Sequence, residues 1–265
     1  MVQLPAGFSP PDPELPFADE LAVVALAWGF DPGSVSALSG GLINATYRVV
    51  EHGRPVAVLQ RLHPIFAAEV NLDILAVTTH LAAGGIETPR LMMTLDGHAW
   101  QPHYGATWRA LSWVDGVSVA KAPSAQWAEA GGGLVGRFHH RMRSFDHRYH
   151  FARAGVHDTD AHLGRLRDLI DGRTGFPDPT RADDQATVAN ARALADDILA
   201  MAADLPPLPA CPPRHCHGDL KLSNLLFTQA DDQVRGHALV DLDTVGFGSL
   251  AFELGDAMRS WCNPH

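Results

Sequence analysis

The chain has 265 residues, 46% of them hydrophobic and 19% charged, and a formal net charge of -10. That length can bury a substantial core in one large domain or two lobes, and the acidic balance excludes nucleic acid or an anionic membrane as the main partner. Cys211, Cys216 and Cys262 are too few, and odd in number, for a disulfide framework, which points to a reducing cytoplasm.

Residues 1–16 carry Pro5, Pro10, Pro11, Pro13 and Pro16 and are expected to form an extended tail. No basic segment precedes an apolar stretch, so no secretory signal is expected, and the apolar run 21–28 is too short to span a bilayer. Residues 17–30 read as a short helix ended by Asp31-Pro32-Gly33. After a turn at Ser39-Gly40-Gly41, the runs 45–50 (ATYRVV) and 56–62 (VAVLQRL) flank His52-Gly53-Arg54-Pro55 and predict a hairpin. Val70, Ile74, Leu75, Thr78 and Leu81 recur at near-helical spacing through 67–83, and Gly84-Gly85 stops that helix. Short strands follow at 91–94, 97–101 and 107–114, closed by Asp115-Gly116.

From residue 124 the pattern is helical. Ser124 is placed to cap a helix to about Arg143, which Gly131-Gly132-Gly133 weakens, and 161–170 and 183–203 are two more helices. A proline-rich linker over 205–213 leads into His217-Gly218-Asp219-Leu220-Lys221-Leu222-Ser223-Asn224. Strands at 225–228 and 237–240 around a turn at 229–236 would present Asn224 at one end of a hairpin and Asp241 at the other. The chain shows no internal repeat and no low-complexity segment.

The spacing H-x-D-x-x-x-x-N, followed after a short apolar run by Leu239-Val240-Asp241-Leu242-Asp243, is the set that phosphoryl transfer from a nucleotide needs. Asp219 is the candidate base for an acceptor hydroxyl. Asn224 and Asp241 are the candidate Mg²⁺ ligands, since hard oxygen donors suit that ion. Taken singly, each of the three would pass for a turn or cap residue; their joint spacing argues otherwise. Asp243 shares a strand face with Asp241 and either assists the metal or holds the loop. Lys221 is placed to reach the transferring phosphate as a point charge, with a solvated lysine as the alternative. His217 reads as structural, and His215-Cys216-His217 is not a zinc site, because no second pair stands at zinc spacing.

The turn at Gly40 and Gly41, running on to Asn44, offers backbone N–H groups to phosphates but is not a Walker A sequence. The α- and β-phosphates need a contact on the following strand, either Gln60 or Arg61 according to register; Arg61 is favoured for its charge, with Glu69 as its helix partner.

These residues resemble the aminoglycoside phosphotransferase-like kinase superfamily, which includes choline, homoserine and sugar kinases. Val58-Leu59-Gln60-Arg61-Leu62, Trp108-Arg109-Ala110, Val240-Asp241-Leu242-Asp243-Thr244-Val245 and Phe252-Glu253-Leu254-Gly255-Asp256-Ala257-Met258-Arg259 are similar to the N-acetylhexosamine 1-kinases within it. The resemblance implies an α+β, protein-kinase-like two-lobe fold, with a small antiparallel β-sheet and one helix in the N-lobe (17–113) and a mainly helical C-lobe (114–265). It implies ATP and Mg²⁺ as cofactors, Ser112 and Val114 in the interlobe hinge beside adenine, and Gly255-Asp256 buttressing the metal loop. The acceptor would be a small molecule, an amino sugar phosphorylated at its anomeric hydroxyl; aminoglycoside, choline or homoserine acceptors are the alternatives. Related kinases continue with further helices past the point matching His265. The expectation is therefore a C-terminally incomplete chain, and an ATP-binding but inactive one is the remaining alternative.

Overall fold

In the computed structural model, residues 18–38, 43–152, 155, 156, 158–174, 182–208 and 211–262 are described. The proline-rich tail of 1–16 and the turn Ser39-Gly40-Gly41 lie outside them.

Residues 1–152 together with 211–265 make one unit and 153–210 a second. The first unit begins with α1 (Ala18–Leu26) and an antiparallel sheet in the order β1-β2-β3-β6-β4, with β5 also on β6. Its strands are β1 (Val35–Ala37), β2 (Ala45–Glu51), β3 (Arg54–Arg61), β4 (Leu91–Met92), β5 (Gln101–His103) and β6 (Ala106–Ser112). Period-2 alternation divides the faces. Tyr47, Val49, Ala57, Leu59, Trp108 and Ala110 are buried against Val24 and Ala25 of α1 and Trp28 just past its end. The opposite face carries Thr46, Val58, Gln60, Arg109 and Leu111, with Gln60 directly across from Thr46 on β2 and from Arg109 on β6. The 56–62 and 107–114 runs thus become β3 and β6, whereas the 97–101 run meets a strand only at its far end, where β5 begins.

Helix α2 (Val70–Ala82) follows β3. Its buried Val70, Ile74, Val77 and Leu81 join a second core with Leu134, Val135, Phe138 and Met142 of α3 (Ala125–Met142). Ser124 takes the N-cap position of α3 with extended backbone but no side-chain capping bond. The triple glycine lies inside α3, and close packing accounts for its first member: Gly131 sits against Leu225, Phe227 and Trp261. A three-stranded sheet, β10-β9-β7, packs on the same core, formed by β7 (Val117–Ser118), β9 (Leu225–Ala230) and β10 (Gln233–Leu239). Gly236 brings β10 so near α3 that a Cβ there would stand 2.4 Å from the Ala130 carbonyl oxygen. A short pair, β8 (Arg214–Cys216) with β11 (Gly246–Gly248), and α6 (Leu250–Trp261) complete the unit.

The second unit holds α4 (Thr159–Ile170), capped by Asp158 through the Ala161 N–H, and α5 (Ala182–Asp204), which contacts it. Ala195 is buried, while Leu194, Ile198 and Met201 on α5 and Leu205 just past its end are exposed. Among the described residues no helix is long and apolar enough to cross a membrane.

Candidate active site

A cleft of about 490 Å³ lies between the open face of the first sheet and the β9–β10 hairpin. Val58, Leu111, Leu226 and Val240 wall it, and Asp219, Lys221, Asp241 and Asp243 supply its polar end.

The loop leaving β8 is pinned along its length by the end of the chain. Glu253 of α6 accepts hydrogen bonds from the N–H groups of His217 (2.7 Å) and Gly218 (2.9 Å). Trp261 Nε1 donates to the Leu220 carbonyl at 2.8 Å, and Leu222 N donates to Ser260 Oγ at 3.2 Å. His217 is fully buried and shares a 3.0 Å hydrogen bond between Nε2 and the Val240 carbonyl, which ties the loop to the strand before Asp241. Gly218 has φ 80°, and a Cβ on it would meet the Thr244 carbonyl oxygen at 2.5 Å, so only glycine admits this path.

Asp219, Lys221, Asn224 and Asp241 converge. Asn224 Nδ2 donates to the Asp219 carbonyl (2.9 Å) and carboxylate (3.1 Å) and stands 3.5 Å from Asp241 Oδ2. Lys221 Nζ lies 2.5 Å from Asp219 Oδ2 and 3.5 Å from Asp241 Oδ2. Asp241 adopts the left-handed region, φ 63° and ψ 59°, as the chain turns from β10 into a single 3₁₀ turn at Leu242–Thr244. A non-glycine residue held there is a small strain that the surroundings must hold in place.

Partial desolvation and the neighbouring Asp243 and Asp219 carboxylates push the Asp241 pKa above the ordinary carboxyl value, against the opposing field of Lys221. Burial works against the Lys221 ammonium, but its hydrogen bond to Asp219 and the charge of Asp241 prevail and raise its pKa. Burial likewise opposes the Glu253 carboxylate; the His139 ring 3.4 Å away, the field of His217 and the hydrogen bonds from the loop N–H groups nevertheless hold its pKa below the usual glutamate value. The Asp219 and Asp241 carboxylates, crowded beside the Asn224 amide side chain, form a hard-oxygen donor set whose charge a divalent cation would relieve.

The structure sorts the remaining predicted residues. Asp243 is 2% exposed and receives a bidentate pair from Arg109, Nη1 to Oδ1 at 2.5 Å and Nη2 to Oδ2 at 2.9 Å. Asn44 Nδ2 donates to the same carboxylate at 2.7 Å and its Oδ1 accepts from His63 N, so Asn44 ties β2 to the loop after β10. Between the two readings weighed for Asp243, this geometry supplies the loop-holding contacts.

Gln60 faces the cleft and accepts from Arg109 Nε and Nη2 at 2.9 and 2.7 Å. Arg61, favoured for its charge, lines a different cavity. The reason is register: Ala57 and Leu59 must face α1, so Arg61 shares their side and Gln60 the other. Glu69 is exposed at the N-cap of α2. The cation on this wall is Arg109, whose signal in sequence was a lone charge inside the apolar strand Trp108-Arg109-Ala110. Ser112 and Val114 both line the cleft; Ser112 N bonds the Arg90 carbonyl at 2.8 Å and Trp113 N the Val56 carbonyl at 3.0 Å, fixing the segment. Gly40 and Gly41 lie outside the described residues. On α6, Asp256 pairs with Arg259, and the carboxylate that supports the loop is Glu253 instead.

Residues 34–265 match the sequence profile of the phosphotransferase enzyme family. The fold is similar to that of the amicoumacin kinase hAmiN, solved with AMP-PNP, Ca²⁺ and Ami, at TM-score 0.62 and 17% identity, covering 91% of this chain and 68% of that one. A microcompartment-associated aminopropanol kinase gives TM-score 0.58 and 19% identity over 91% of this chain and 74% of its own. The GDP complex of wild-type aminoglycoside 2'-phosphotransferase-IIIa gives 0.59 and 14% over 94% and 79%. At these identities the likeness establishes the fold, which is α+β and protein-kinase-like.

Proposed function

The chain belongs to the phosphotransferase enzyme family, and from that premise we propose that it is a Mg²⁺- and ATP-dependent kinase that phosphorylates a hydroxyl of a small molecule, an N-acetylhexosamine at its anomeric position. The observation that carries the reading is the convergence of Asn224 and Lys221 on the carboxylates of Asp219 and Asp241 at the polar end of an apolar cleft. The nucleotides in the complexes of related fold, AMP-PNP and GDP, support a nucleoside triphosphate as donor.

In this reading the purine lies between Val58, Leu111 and Leu226, against the Ser112–Val114 segment. Asp219 accepts the hydrogen bond of the acceptor hydroxyl and takes its proton as the new O–P bond forms and the bond from the γ-phosphorus to its bridging oxygen breaks, ADP leaving. Lys221, now spanning two carboxylates, lies where it would contact the transferred phosphoryl group. Asn224, through its amide oxygen, and Asp241 would hold Mg²⁺, which when bound neutralises phosphate charge. Asp243 serves that pair indirectly by fixing the loop through Arg109 and Asn44. An ATP-rich cytoplasm is the matching compartment.

The amino-sugar assignment rests on the sequence motifs quoted above. The related folds include an aminopropanol kinase and an aminoglycoside phosphotransferase, so the test is ADP release with a panel of N-acetylhexosamines, amino alcohols and aminoglycosides. Turnover of N-acetylglucosamine or N-acetylgalactosamine, giving an acid-labile 1-phosphate, is the expected result. Turnover of another alcohol with none of any hexosamine would overturn the acceptor and leave the chemistry. Full activity in Asp219→Ala would overturn the mechanism.

A further inference from the structure

We propose that Asp73, His147 and His150 form a second metal site, apart from the cleft carboxylates, selective for a first-row divalent transition metal ion such as Zn²⁺. One donor atom from each, a carboxylate oxygen and two imidazole nitrogens, lie within 4.8 Å of one another. Two imidazoles and one carboxylate are the borderline donor set that such ions prefer to Mg²⁺ or Ca²⁺. Three protein ligands with an open position for water also agree with zinc coordination.

The site is largely built. Asp73 is 4% exposed, on α2. Its Oδ1 accepts from His150 N and its Oδ2 from Phe151 N, both at 2.9 Å, so the carboxylate is fixed by the backbone of the segment it holds. His147 Nε2 points at Oδ1 from 2.8 Å. Its ring is stacked on Phe145, with centroids 5.3 Å apart and planes at 23°, and stands edge-on to Tyr149. Only the exposed His150 ring, 5.9 Å from that of His147, has to turn inward. The metal would take the place of the proton in the Asp73–His147 hydrogen bond, the neutral ring keeping its own proton on Nδ1. Bound there, the ion clamps α2, which also gives Ile74 to the cleft wall, to the segment after α3.

The experiment is titration of the full chain with Zn²⁺ at neutral pH, with Mg²⁺ in excess to occupy hard-oxygen sites, read by calorimetry and by thermal unfolding. The wild type should bind one equivalent that raises Tm, and Co²⁺ in its place should give visible d–d bands. His150→Ala, at an exposed position, should fold normally and bind at least about tenfold more weakly; adding His147→Gln, which can still hydrogen-bond Asp73, should abolish the band and the Tm shift. Absence of binding by the wild type overturns the proposal. So does an unchanged isotherm in the double variant, which would place the metal on other histidines or on the thiols of Cys211 and Cys262.

Discussion

At the scale of single residues, the cleft depends on charges that tolerate little company. Arg109 and Asp243 are both nearly inaccessible, and each cancels the other. Removing one partner strands a buried charge, so Asp243→Leu or Arg109→Met alone should cost about 3–5 kcal/mol in denaturant unfolding, while the double variant recovers most of the loss. Asp241 behaves oppositely. A carboxyl whose pKa is raised by folding destabilises the native state once ionised, because the unfolded chain gives up its proton first. Asp241→Asn should therefore raise the Tm of the metal-free protein at neutral pH while removing turnover. Glu253 has its pKa lowered by folding, so its contribution is complete above the unfolded value near 4.5 and is lost as pH falls through the lower folded value. Glu253→Gln should flatten the acid limb of a stability–pH curve, measured by urea unfolding at successive pH values.

Elements explain why this arrangement was only partly legible in the sequence. The candidate catalytic loop could be read because Asp219 and Asn224 are neighbours along one loop, and their spacing is itself the geometry. Arg109 could not, because it reaches the site through strand register: it lies across from Gln60 only once β3 and β6 are paired. The choice between Gln60 and Arg61 turned on the same question, and it is decided by α1, whose apolar face claims Leu59. Glu253 was hidden for another reason, since a helix brings it back onto a loop 35 residues earlier, where no local pattern records the meeting. The short strands β1, β7, β8 and β11 have two or three residues each, too few for alternation to show. Close packing between elements gives its own test. Gly236→Ala would drive a Cβ into the α3 backbone, and should cost roughly 1–3 kcal/mol by overpacking, visible as a lower Tm.

For the molecule as a whole, the surface of α5 stands out. Leu194, Ile198 and Met201, with Leu205 beyond its end, repeat at intervals of four, three and four residues and are exposed, the spacing of a seam that faces another helix. Replacing Ile198 and Met201 by glutamate should reduce dye binding to exposed apolar surface and light scattering at high concentration, without lowering ATP turnover. The site itself is assembled from distant parts of the chain. Arg109 and Asp243 are 134 residues apart, and Asn44 and Asp243 are 199 apart. During synthesis at about 5–20 residues per second, the first sheet emerges roughly 7 to 27 seconds before the loop that completes it. Through that interval Arg109, on a finished strand face, and Asn44, just before β2, wait without the carboxylate that joins them, and the nascent chain has a fold before it has an active site.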